Sequence, residues 1–433
     1  MSTRTAEQDR AIDAVARWYN NGQARKPVFK LFGYAGTGKT TLAKHFAEGV
    51  KGDVMFGAFT GKAASVLRAK KCENASTIHQ MIYRPTTKSR KRLDALTNDL
   101  ELLYKEIGPP EEGKREARRA PRKLINEIER EREELGQPGF VLKEFIGPEG
   151  YDETTHERTP MMDPQLLILD ECSMIAERMA ADLMSFGVPI LVLGDPAQLP
   201  PVKGNAAFTN SDPDFMLTEI HRQAEGDPII QLATLVREGK RLTQGEYGRS
   251  RVCHKGEITK ELALAHDQII VGRNLTRHRL NRLWRVWKGV DKKDPPHVGE
   301  RLVCLKNDHN LGLLNGTLWE VTKVSLTGID PWDPDARLLL DLKESGPLQP
   351  VNLADVIAYS DCFYDAGAKR DWKSVGGAQQ FDYGYALTAH KAQGSQWDKV
   401  LIRDESRCFR EDANKWLYTA ITRASDAVTI AVD

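Results

Sequence analysis

Eight residues near the start of the chain limit its possible folds more than any other feature. The segment Gly33-Tyr34-Ala35-Gly36-Thr37-Gly38-Lys39-Thr40 matches the pattern G-x-x-x-x-G-K-[ST] without a mismatch. It follows an apolar run at 28–32, which predicts a buried strand, and precedes a helical pattern at 42–50. A strand, a glycine-rich turn and a helix in this order form a phosphate-binding loop, or P-loop. We therefore expect an α/β protein that binds a phosphorylated ligand.

The other apolar runs of the first half support a parallel sheet. They lie at 54–59, 166–169 and 189–193 and alternate with helical patterns at 5–18 and 61–69. Short apolar strands that alternate with helices are typical of a parallel sheet with helices on both faces.

A second α/β pattern follows residue 194. Its predicted elements are a helix at 228–238, a strand at 268–271, a helix at 275–287 and a strand at 428–432. Short strands with turns interrupt it, at 301–304, 317–324 and 337–342, with Asn315-Gly316 as a hairpin signal. We therefore expect a small β-barrel inserted in this second domain, which resumes near Phe381.

Composition narrows the class of protein. The 433 residues carry 62 Lys+Arg and 61 Asp+Glu, and this net charge of +1 argues against a uniformly basic surface but allows a local basic channel. No apolar run approaches the roughly 18–20 residues of a membrane span, and residues 1–8 lack the apolar core of a signal peptide. Six cysteines without a C-x-x-C pair disfavour a zinc site or a disulfide framework. We therefore expect a cytoplasmic protein.

The segment 84–135 differs from its surroundings, since it holds 14 Lys/Arg and 12 Asp/Glu in 52 residues. Leucines and isoleucines at helical spacing predict two helices, separated at Gly108-Pro109-Pro110 and inserted in the first domain. Two interpretations stay open. The segment is either a solvated charged arm or a nucleic-acid contact through Arg115, Arg118, Arg119, Arg122 and Lys123.

Three segments carry the predicted chemistry. In the P-loop, Lys39 is expected to reach the β- and γ-phosphates and Thr40 to hold Mg²⁺. Asp170 and Glu171 end an apolar strand, where Asp170 would bind the metal and Glu171 would polarise the attacking water. Gln198, after the next strand, is either part of a plain turn or a sensor of the γ-phosphate, and its position after the other two segments favours the sensor.

The order of these segments resembles superfamily 1 helicases, most closely the Dda-like and RecD-like 5′→3′ branch, superfamily 1B. Besides the P-loop, seven segments are similar to the motifs of that family and follow its order, and two of them contain Asp170–Glu171 and Gln198. They are 59–64 (motif Ia), 76–79 (Ib), 170–174 (II), 194–202 (III), 217–223 (IV), 388–396 (V) and 416–423 (VI). One position departs from the pattern, because Gln396 stands where many relatives carry the Glu that contacts the ribose.

The resemblance implies an α/β fold with two RecA-like P-loop motor domains, each carrying an insertion. The implied division is a first motor domain at 1–83 and 160–210, a charged helical arm and hairpin at 84–159, a second motor domain at 211–298 and 376–433, and an SH3-like β-barrel at 299–375. In such enzymes the hairpin tip splits the duplex, and Phe140 or Phe145 is either that wedge or a packing residue.

The resemblance also implies the roles of residues around ATP and Mg²⁺. Gln8 would read the adenine edge, although it also fits a capping box at the start of the first helix. Arg222 and Arg423 would act as arginine fingers from the second motor domain. The implied catalytic residues are Lys39, Glu171, Gln198, Arg222 and Arg423, the nucleotide-binding residues are Gln8, Gly33, Ala35, Gly36, Thr37, Gly38, Lys39, Thr40 and Thr41, and the metal ligands are Thr40 and Asp170.

The single-strand track is implied on both motor domains. Its residues are Thr60, Lys62, Thr77 and His79 on the first and Thr388, His390 and Lys391 on the second. Short hydroxyls and cations hold phosphates without reading bases, so binding would be largely independent of sequence. His79 and His390 also fit buried structural histidines. Among the tryptophans, a core stripe of Trp284 and Trp287 is favoured over base stacking, and Trp319, Trp332 and Trp372 are expected to line a surface of the barrel.

The expected function is an ATP-dependent DNA helicase that moves 5′→3′ on single strands. The alternatives are an RNA-directed motor of the same superfamily and an ATP-gated clamp or recombination mediator that does not unwind. The expected partners are single-stranded DNA and single-strand/duplex junctions, with replication or recombination proteins as further candidates and no membrane. We expect a monomer in the cytoplasm of a bacterial cell, or of a host if a phage encodes it, that acts in replication, recombination or repair.

Overall fold

A computed structural model of the chain describes residues 4–22, 25–72, 74–85, 143–145, 164–201, 206–219, 226–291, 294–305, 308, 311–327, 337–345, 351–360, 363 and 378–433. In chain order the strands are β1 (Val28–Gly33), β2 (Val54–Ala58), β3 (Ala75–Thr77), β4 (Tyr83–Pro85), β5 (Lys143–Phe145), β6 (Leu166–Asp170), β7 (Ile190–Gly194), β8 (Phe215–Leu217), β9 (Gly245–Tyr247), β10 (Ser250–His254), β11 (Gln268–Val271), β12 (Arg301–Cys304), β13 (Leu318–Thr327), β14 (Arg337–Ser345), β15 (Asn352–Tyr359), β16 (Phe381–Tyr383), β17 (Ala386–Thr388), β18 (Trp397–Arg403) and β19 (Ala424–Val432).

The helices follow the same order. They are α1 (Ala6–Asn20), α2 (Lys39–Glu48), α3 (Gly61–Ala69), α4 (Ile78–Ile82), α5 (Glu177–Met184), α6 (Pro228–Arg237), α7 (Lys260–Leu264), α8 (Asn274–Trp287), α9 (Ala389–Ala392) and α10 (Ala413–Ile421). Within the described part of the chain, no helix is both long and apolar enough to cross a membrane.

The first sheet has six parallel strands in the order β3-β2-β6-β7-β1-β8. Its central strand β7 is buried along its whole length, because apolar clusters cover the sheet on both faces. Since the strands run in one direction, the loops that follow β1, β6 and β7 meet at one edge. That edge carries the P-loop, the Asp170–Glu171 pair and Gln198.

The first two helices show how the sequence sets this edge. Thr5 and Gln8 form the predicted capping box at the start of α1, with Gln8 N donating to Thr5 Oγ1 (3.2 Å) and Thr5 N donating to Gln8 Oε1 (3.1 Å). α2 begins at Lys39, earlier than the predicted start at Leu42. Gly38 adopts φ 79°, so the P-loop turns directly into the helix.

The second sheet has the order β17-β11-β18-β19-β10-β9. Its strands are parallel except for the edge strand β9, which is antiparallel to β10. α10 and α6 pack on one face in a shared apolar cluster, and α8 packs on the other. The two parallel sheets and their helices confirm the predicted α/β class.

A third sheet is antiparallel throughout, in the order β15-β14-β13-β12-β16. Two predicted boundaries are wrong. The second motor domain was predicted to resume at 376, with its strands starting near Phe381. Phe381 instead pairs with Cys304 in the antiparallel sheet, so the second parallel sheet resumes only at β17. Phe215 pairs with Leu31, so the first sheet continues past the predicted end at 210. Short apolar runs such as β8 and β16 do not encode the sheet that they join.

Most predicted elements are confirmed, some to the residue. The helix at 61–69 and the strands at 268–271 and 301–304 have the predicted bounds. Trp284 is buried and stacks on Tyr385 with ring centroids 5.2 Å apart, which confirms its core role. The prediction that Trp319 lines a surface is wrong, because its side chain is buried in the apolar core of the antiparallel sheet.

Several predictions lie outside the described residues. They concern the two charged helices beyond Pro85, the aromatic wedge Phe140, the arginine finger Arg222, and Trp332 and Trp372. The predicted hairpin is described only at β5, whose backbone pairs antiparallel with β4, Phe145 opposite Tyr83.

Candidate functional site

The P-loop is a tight turn with its lysine folded inward. Gly36 and Gly38 both have positive φ, 81° and 79°, a backbone conformation that residues with a side chain rarely adopt. Lys39 Nζ donates to the carbonyl oxygens of Gly33 (2.6 Å) and Tyr34 (2.9 Å). The ammonium and the amino-terminal end of α2 therefore face the same concavity, an arrangement suited to phosphate.

The end of β6 brings a carboxylate to this concavity. Thr40 Oγ1 donates to Asp170 Oδ2 (2.9 Å), and Glu171 N donates to Asp170 Oδ1 (2.9 Å). Both carboxylate oxygens are thus oriented by hydrogen bonds from the protein. A hydroxyl beside a carboxylate is a set of hard oxygen donors that suits Mg²⁺, which also binds phosphates and water.

Glu171 has a strained backbone and a partner from the second sheet. Its φ of 53° is in the left-handed region, which is uncommon for a residue other than glycine. Its Oε1 lies 3.7 Å from Arg423 Nη1. Burial raises the pKa of the Glu171 carboxyl, and the charge of Arg423 opposes that rise.

Arg423 is held by the end of its own helix. Its side chain is buried, and Nε donates to Thr419 O (3.1 Å) while Nη2 donates to Thr422 Oγ1 (3.2 Å). Because Arg423 follows α10 and Glu171 follows β6, their contact joins the units built on the two parallel sheets.

Two polar residues follow β7. Asp195 is buried and accepts from Tyr418 Oη (2.7 Å) and Ala197 N (3.0 Å), and burial raises the pKa of its carboxyl. Gln198 is 9% exposed, and its Oε1 has no hydrogen-bond partner among the described residues. A buried amide oxygen without a partner is unusual, so it is available to a ligand or a water.

Gln8 forms the predicted capping box of α1 and also contacts the P-loop. While its Oε1 caps α1, its Nε2 donates to Thr37 O of the P-loop (3.0 Å). A Cβ placed on Gly38 would lie only 2.9 Å from Gln8 Nε2. The first helix and the P-loop are therefore in direct contact at this residue.

Most of these groups line one cavity between the two parallel sheets, which we call the P-loop cleft. The predicted residues in its wall are Ala35, Gly36, Lys39, Thr40, Asp170, Glu171, Gln198 and Arg423. Gln396, which departs from the family pattern, also lies in this wall. Five predicted nucleotide-binding residues are not in that wall: Gln8 on α1, and Gly33, Thr37, Gly38 and Thr41 in the loop or in α2. Arg222 lies outside the described residues.

A second cavity contains most of the predicted track residues, and we call it the Thr–Lys groove. Its predicted members are Thr60, Lys62, Thr77, His79, His390 and Lys391. Thr60 and Thr77 are the N-caps of α3 and α4, where Thr60 Oγ1 accepts from Ala63 N (3.1 Å) and Thr77 Oγ1 accepts from Gln80 N (3.3 Å). Thr388 caps α9 in the same way but is buried and is not in the wall.

The lysines of the groove are held in partly apolar surroundings. Burial lowers the pKa of Lys62 and of Lys391 to about 8 in each case. Lys62 Nζ lies 4.8 Å from the ring centroid of Trp397 on the second parallel sheet. An anion in the groove would stabilise the charged form of both lysines.

Both histidines are half-buried rather than fully buried, and both pack against aromatic rings. His79 packs against Phe59 with ring centroids 5.8 Å apart, and His390 against Phe409 at 5.7 Å. Burial lowers the pKa of His390. Each ring is therefore packed on an aromatic neighbour and also lines the groove.

Sequence reasoning missed several residues of the two cavities. In the P-loop cleft they are Lys70, Asp195, Ser395 and Thr422, and in the Thr–Lys groove they are Phe59, Gly61, Met174, Gln393 and the turn of Leu314, Asn315 and Gly316. Most of these lie inside segments that resemble the family motifs, so the sequence marked the segment but not the individual residue. For the turn, the available signal was the Asn315-Gly316 hairpin pattern, which gives no contact partner.

The family models match both halves of this architecture. A model described as AAA domain matches residues 4–257, more than half of the chain. The chain belongs to this AAA domain family. A model described as UvrD-like helicase C-terminal domain matches residues 383–431, which include Gln396 and Arg423. Together with the relatives below, these matches confirm the predicted place of this AAA-family chain in helicase superfamily 1B.

Two curated relatives and one solved structure illustrate the similarity. The ATP-dependent RecD2 DNA helicase of Deinococcus radiodurans is 29% identical over 307 residues, 65% of this chain and 38% of that protein. The RecBCD enzyme subunit RecD of Mycolicibacterium smegmatis is 25% identical over 340 residues, 68% of this chain and 55% of that protein. The chain thus spans about two fifths to a little over half of the length of these relatives. The crystal structure of Pif1 helicase from Candida albicans shares the fold, with a TM-score of 0.50 and 17% identity over 100% of this chain and 95% of that one.

Proposed function

We propose that the protein is an ATP-dependent DNA helicase that translocates 5′→3′ on single strands. The observation that carries this proposal is the 3.7 Å contact between Glu171 and Arg423, which joins a hydrolytic carboxylate on the first sheet to a cation on the second. A site divided between two bodies lets nucleotide binding and release change their relative position.

The P-loop cleft fits Mg²⁺ and ATP by its chemistry. Thr40 and Asp170 would hold the metal, since their side-chain oxygens already lie 2.9 Å apart. When bound, Mg²⁺ neutralises charge on the phosphates. Lys39 would exchange its two carbonyl partners for phosphate oxygens, and Gln8 would stay against the loop beside the base.

Glu171 and Gln198 would together hold the attacking water. A carboxylate whose pKa is raised by burial is a better proton acceptor than an exposed one, while the positive charge of the neighbouring Arg423 favours its ionised form. The unpartnered Oε1 of Gln198 would accept a hydrogen bond from the same water. Arg423, and by the resemblance Arg222, would stabilise charge on the transferred phosphoryl group.

The Thr–Lys groove would hold single-stranded DNA by its backbone. Its hydroxyls and its two lysines contact phosphates without reading base edges, so affinity would be largely independent of sequence. The groove contains residues of the first sheet unit, the second sheet unit and the antiparallel sheet. Relative movement of these units would therefore act directly on the bound strand.

The domain division belongs to the same proposal. We take the first motor domain as 1–83 and 160–217 and the second as 218–298 and 384–433, with insertions at 84–159 and 299–383. The antiparallel sheet would be the SH3-like barrel. The proposal extends to a cytoplasmic monomer that acts at single-strand/duplex junctions with replication or recombination proteins.

The test compares unwinding of 5′-tailed and 3′-tailed DNA duplexes with ATP and Mg²⁺. Separation of the 5′-tailed duplex alone is the expected result. Separation of the 3′-tailed duplex alone would keep the chemistry and overturn the polarity. If neither opens while single strands still stimulate ATP hydrolysis, the chain is a translocase or clamp. Preference for RNA-tailed substrates would instead make it an RNA motor.

A further inference from the structure

Tyr418 connects three segments of the P-loop cleft through one hydroxyl group. Its Oη accepts from Ala35 N of the P-loop (2.8 Å) and donates to Asp195 Oδ2 after β7 (2.7 Å). The side chain is 2% exposed, so water does not compete for these bonds. A hydroxyl can serve one acceptor and one N–H donor at once, and both capacities are used here.

The location of Tyr418 gives this contact a consequence for Arg423. Tyr418 lies on α10, and Arg423 follows the end of that helix. Arg423 Nε donates to Thr419 O (3.1 Å), so the guanidinium is tied to the turn of helix that carries Tyr418. Where the Tyr418 hydroxyl is fixed on the first sheet unit, the position of Arg423 relative to Glu171 is fixed with it.

Two neighbouring hydrogen bonds also connect the second sheet unit to the first. Leu199 N donates to Thr419 Oγ1 (2.9 Å), and Gln393 Nε2 donates to Leu199 O (3.1 Å). Gln393 also lines the Thr–Lys groove. The segment after β7 is therefore bonded to α10 and to a residue in the wall of the groove.

We propose that Tyr418 is a positioning residue that holds Arg423 in register with Glu171 by bonding to the P-loop and to Asp195. The inference rests on the proposed ATP hydrolysis and deepens it. The Tyr418 hydroxyl bonds to Ala35 N and Asp195 rather than to Thr40 or Asp170, the proposed metal ligands. It acts through Arg423, and the hydroxyl is the part of the side chain that matters.

The decisive variant is Tyr418→Phe, which keeps the ring and removes both bonds. Displacing a catalytic group by about an ångström costs up to roughly 100-fold in rate, so we expect kcat for DNA-stimulated ATP hydrolysis to fall roughly 10- to 100-fold. KM for ATP should stay within about twofold, because a loss confined to the transition state lowers kcat and kcat/KM together.

Tyr385→Phe is a matched control. The Tyr385 hydroxyl is also buried, accepts from a backbone N–H (Arg301, 3.3 Å) and donates to a carboxylate (Glu300, 3.4 Å), but it belongs to the core between the second and third sheets. Both variants lose a buried hydroxyl, so both should show a similar fall in Tm. Only Tyr418→Phe should show a lower kcat for ATP hydrolysis. Equal kcat values in the two variants would overturn the proposal, as would a rise in KM with unchanged kcat.

A double-mutant cycle tests the route through Arg423. In an Arg423→Ala background, Tyr418→Phe should change the residual rate by less than about twofold, since residues that act as one unit are not additive. A full further loss would show that Tyr418 acts by another route. Should Tyr418→Phe fail to fold, Thr419→Val removes the adjoining bond to Leu199 N and should lower kcat in the same manner. Absence of hydrolysis by the wild type would refute the proposed function itself rather than this inference.

Discussion

The two cavities of this molecule are built in different ways. The P-loop cleft takes its chemical groups from the carboxyl ends of β1, β6 and β7, neighbouring strands of one sheet, and adds Arg423 from the second. The Thr–Lys groove takes its groups from helix starts at α3, α4 and α9 and from a turn of the antiparallel sheet. Strand pairing fixes most of the cleft internally, whereas the shape of the groove depends on how three sheets are placed.

This difference predicts that single changes in the cleft abolish chemistry, whereas changes in the groove tune affinity. The largest effect should come from Lys39→Ala. We expect ATP hydrolysis to fall by about 10³-fold or more, because a preorganised charge on the reacting phosphates is lost. Binding of single-stranded DNA should persist, because Lys39 lies outside the wall of the groove.

Phosphate release and fluorescence anisotropy with a labelled oligonucleotide measure the two properties. Lys44→Ala is the control, since Lys44 lies on the same helix and its recorded ion pair is a surface contact with Glu48 at 4.0 Å. Equal loss of DNA binding and hydrolysis in Lys39→Ala would contradict the separation of the two cavities. Retained DNA-stimulated turnover would contradict the assignment of Lys39.

The same contrast explains how far the sequence could lead. Asp170 was predictable because it ends an apolar run, which fixes the location and the direction of its side chain. Gln198, four residues after the end of β7, was singled out only by the order of the three segments. A capped helix start such as Thr60 was predictable as a position. The contact of Leu314 with α3 was not, because no local pattern encodes how the antiparallel sheet docks. The bridge from Tyr418 to Asp195 likewise depends on the docking of two sheets.

The groove should show its own pH dependence. Lys62 and Lys391, with their pKa values lowered to about 8, are mostly protonated at pH 7 and mostly neutral at pH 9. A bound phosphate favours the charged form and raises the pKa, so affinity for DNA is present below about pH 8 and falls above it. Between pH 7 and pH 9 each lysine should contribute a roughly tenfold loss of affinity.

The control for this pH dependence is Lys391→Arg, because arginine stays charged over the whole range. The charges near Lys391 are Arg277 and Asp382, and those near Lys62 are Arg301 and Glu344. The arginine variant should flatten the affinity profile, measured by anisotropy at constant ionic strength. A profile as steep as that of the wild type would mean that another group titrates.

The smallest effect concerns the docking of the antiparallel sheet on the groove. Gly61 begins α3, and a Cβ added there would lie 2.0 Å from Leu314 Cδ1. The added methyl group would also lie 2.9 Å from Leu314 Cγ and 3.0 Å from Leu314 Cβ, so Gly61→Ala must shift the turn that carries Leu314 slightly. We expect a cost of about 1 kcal/mol, which is roughly a fivefold loss of DNA affinity, with ATP hydrolysis at saturating DNA unchanged.

Leu314→Ala should restore the affinity of Gly61→Ala, because the smaller side chain leaves room for the added methyl group. Two changes that compensate each other in this way indicate direct contact rather than two independent weaknesses. If the double variant binds DNA more weakly than Gly61→Ala alone, the apolar contact of Leu314 matters in its own right and the turn is a wall of the groove. If Gly61→Ala binds like the wild type, the antiparallel sheet docks too loosely to shape the groove, and the contrast between the two cavities is sharper still.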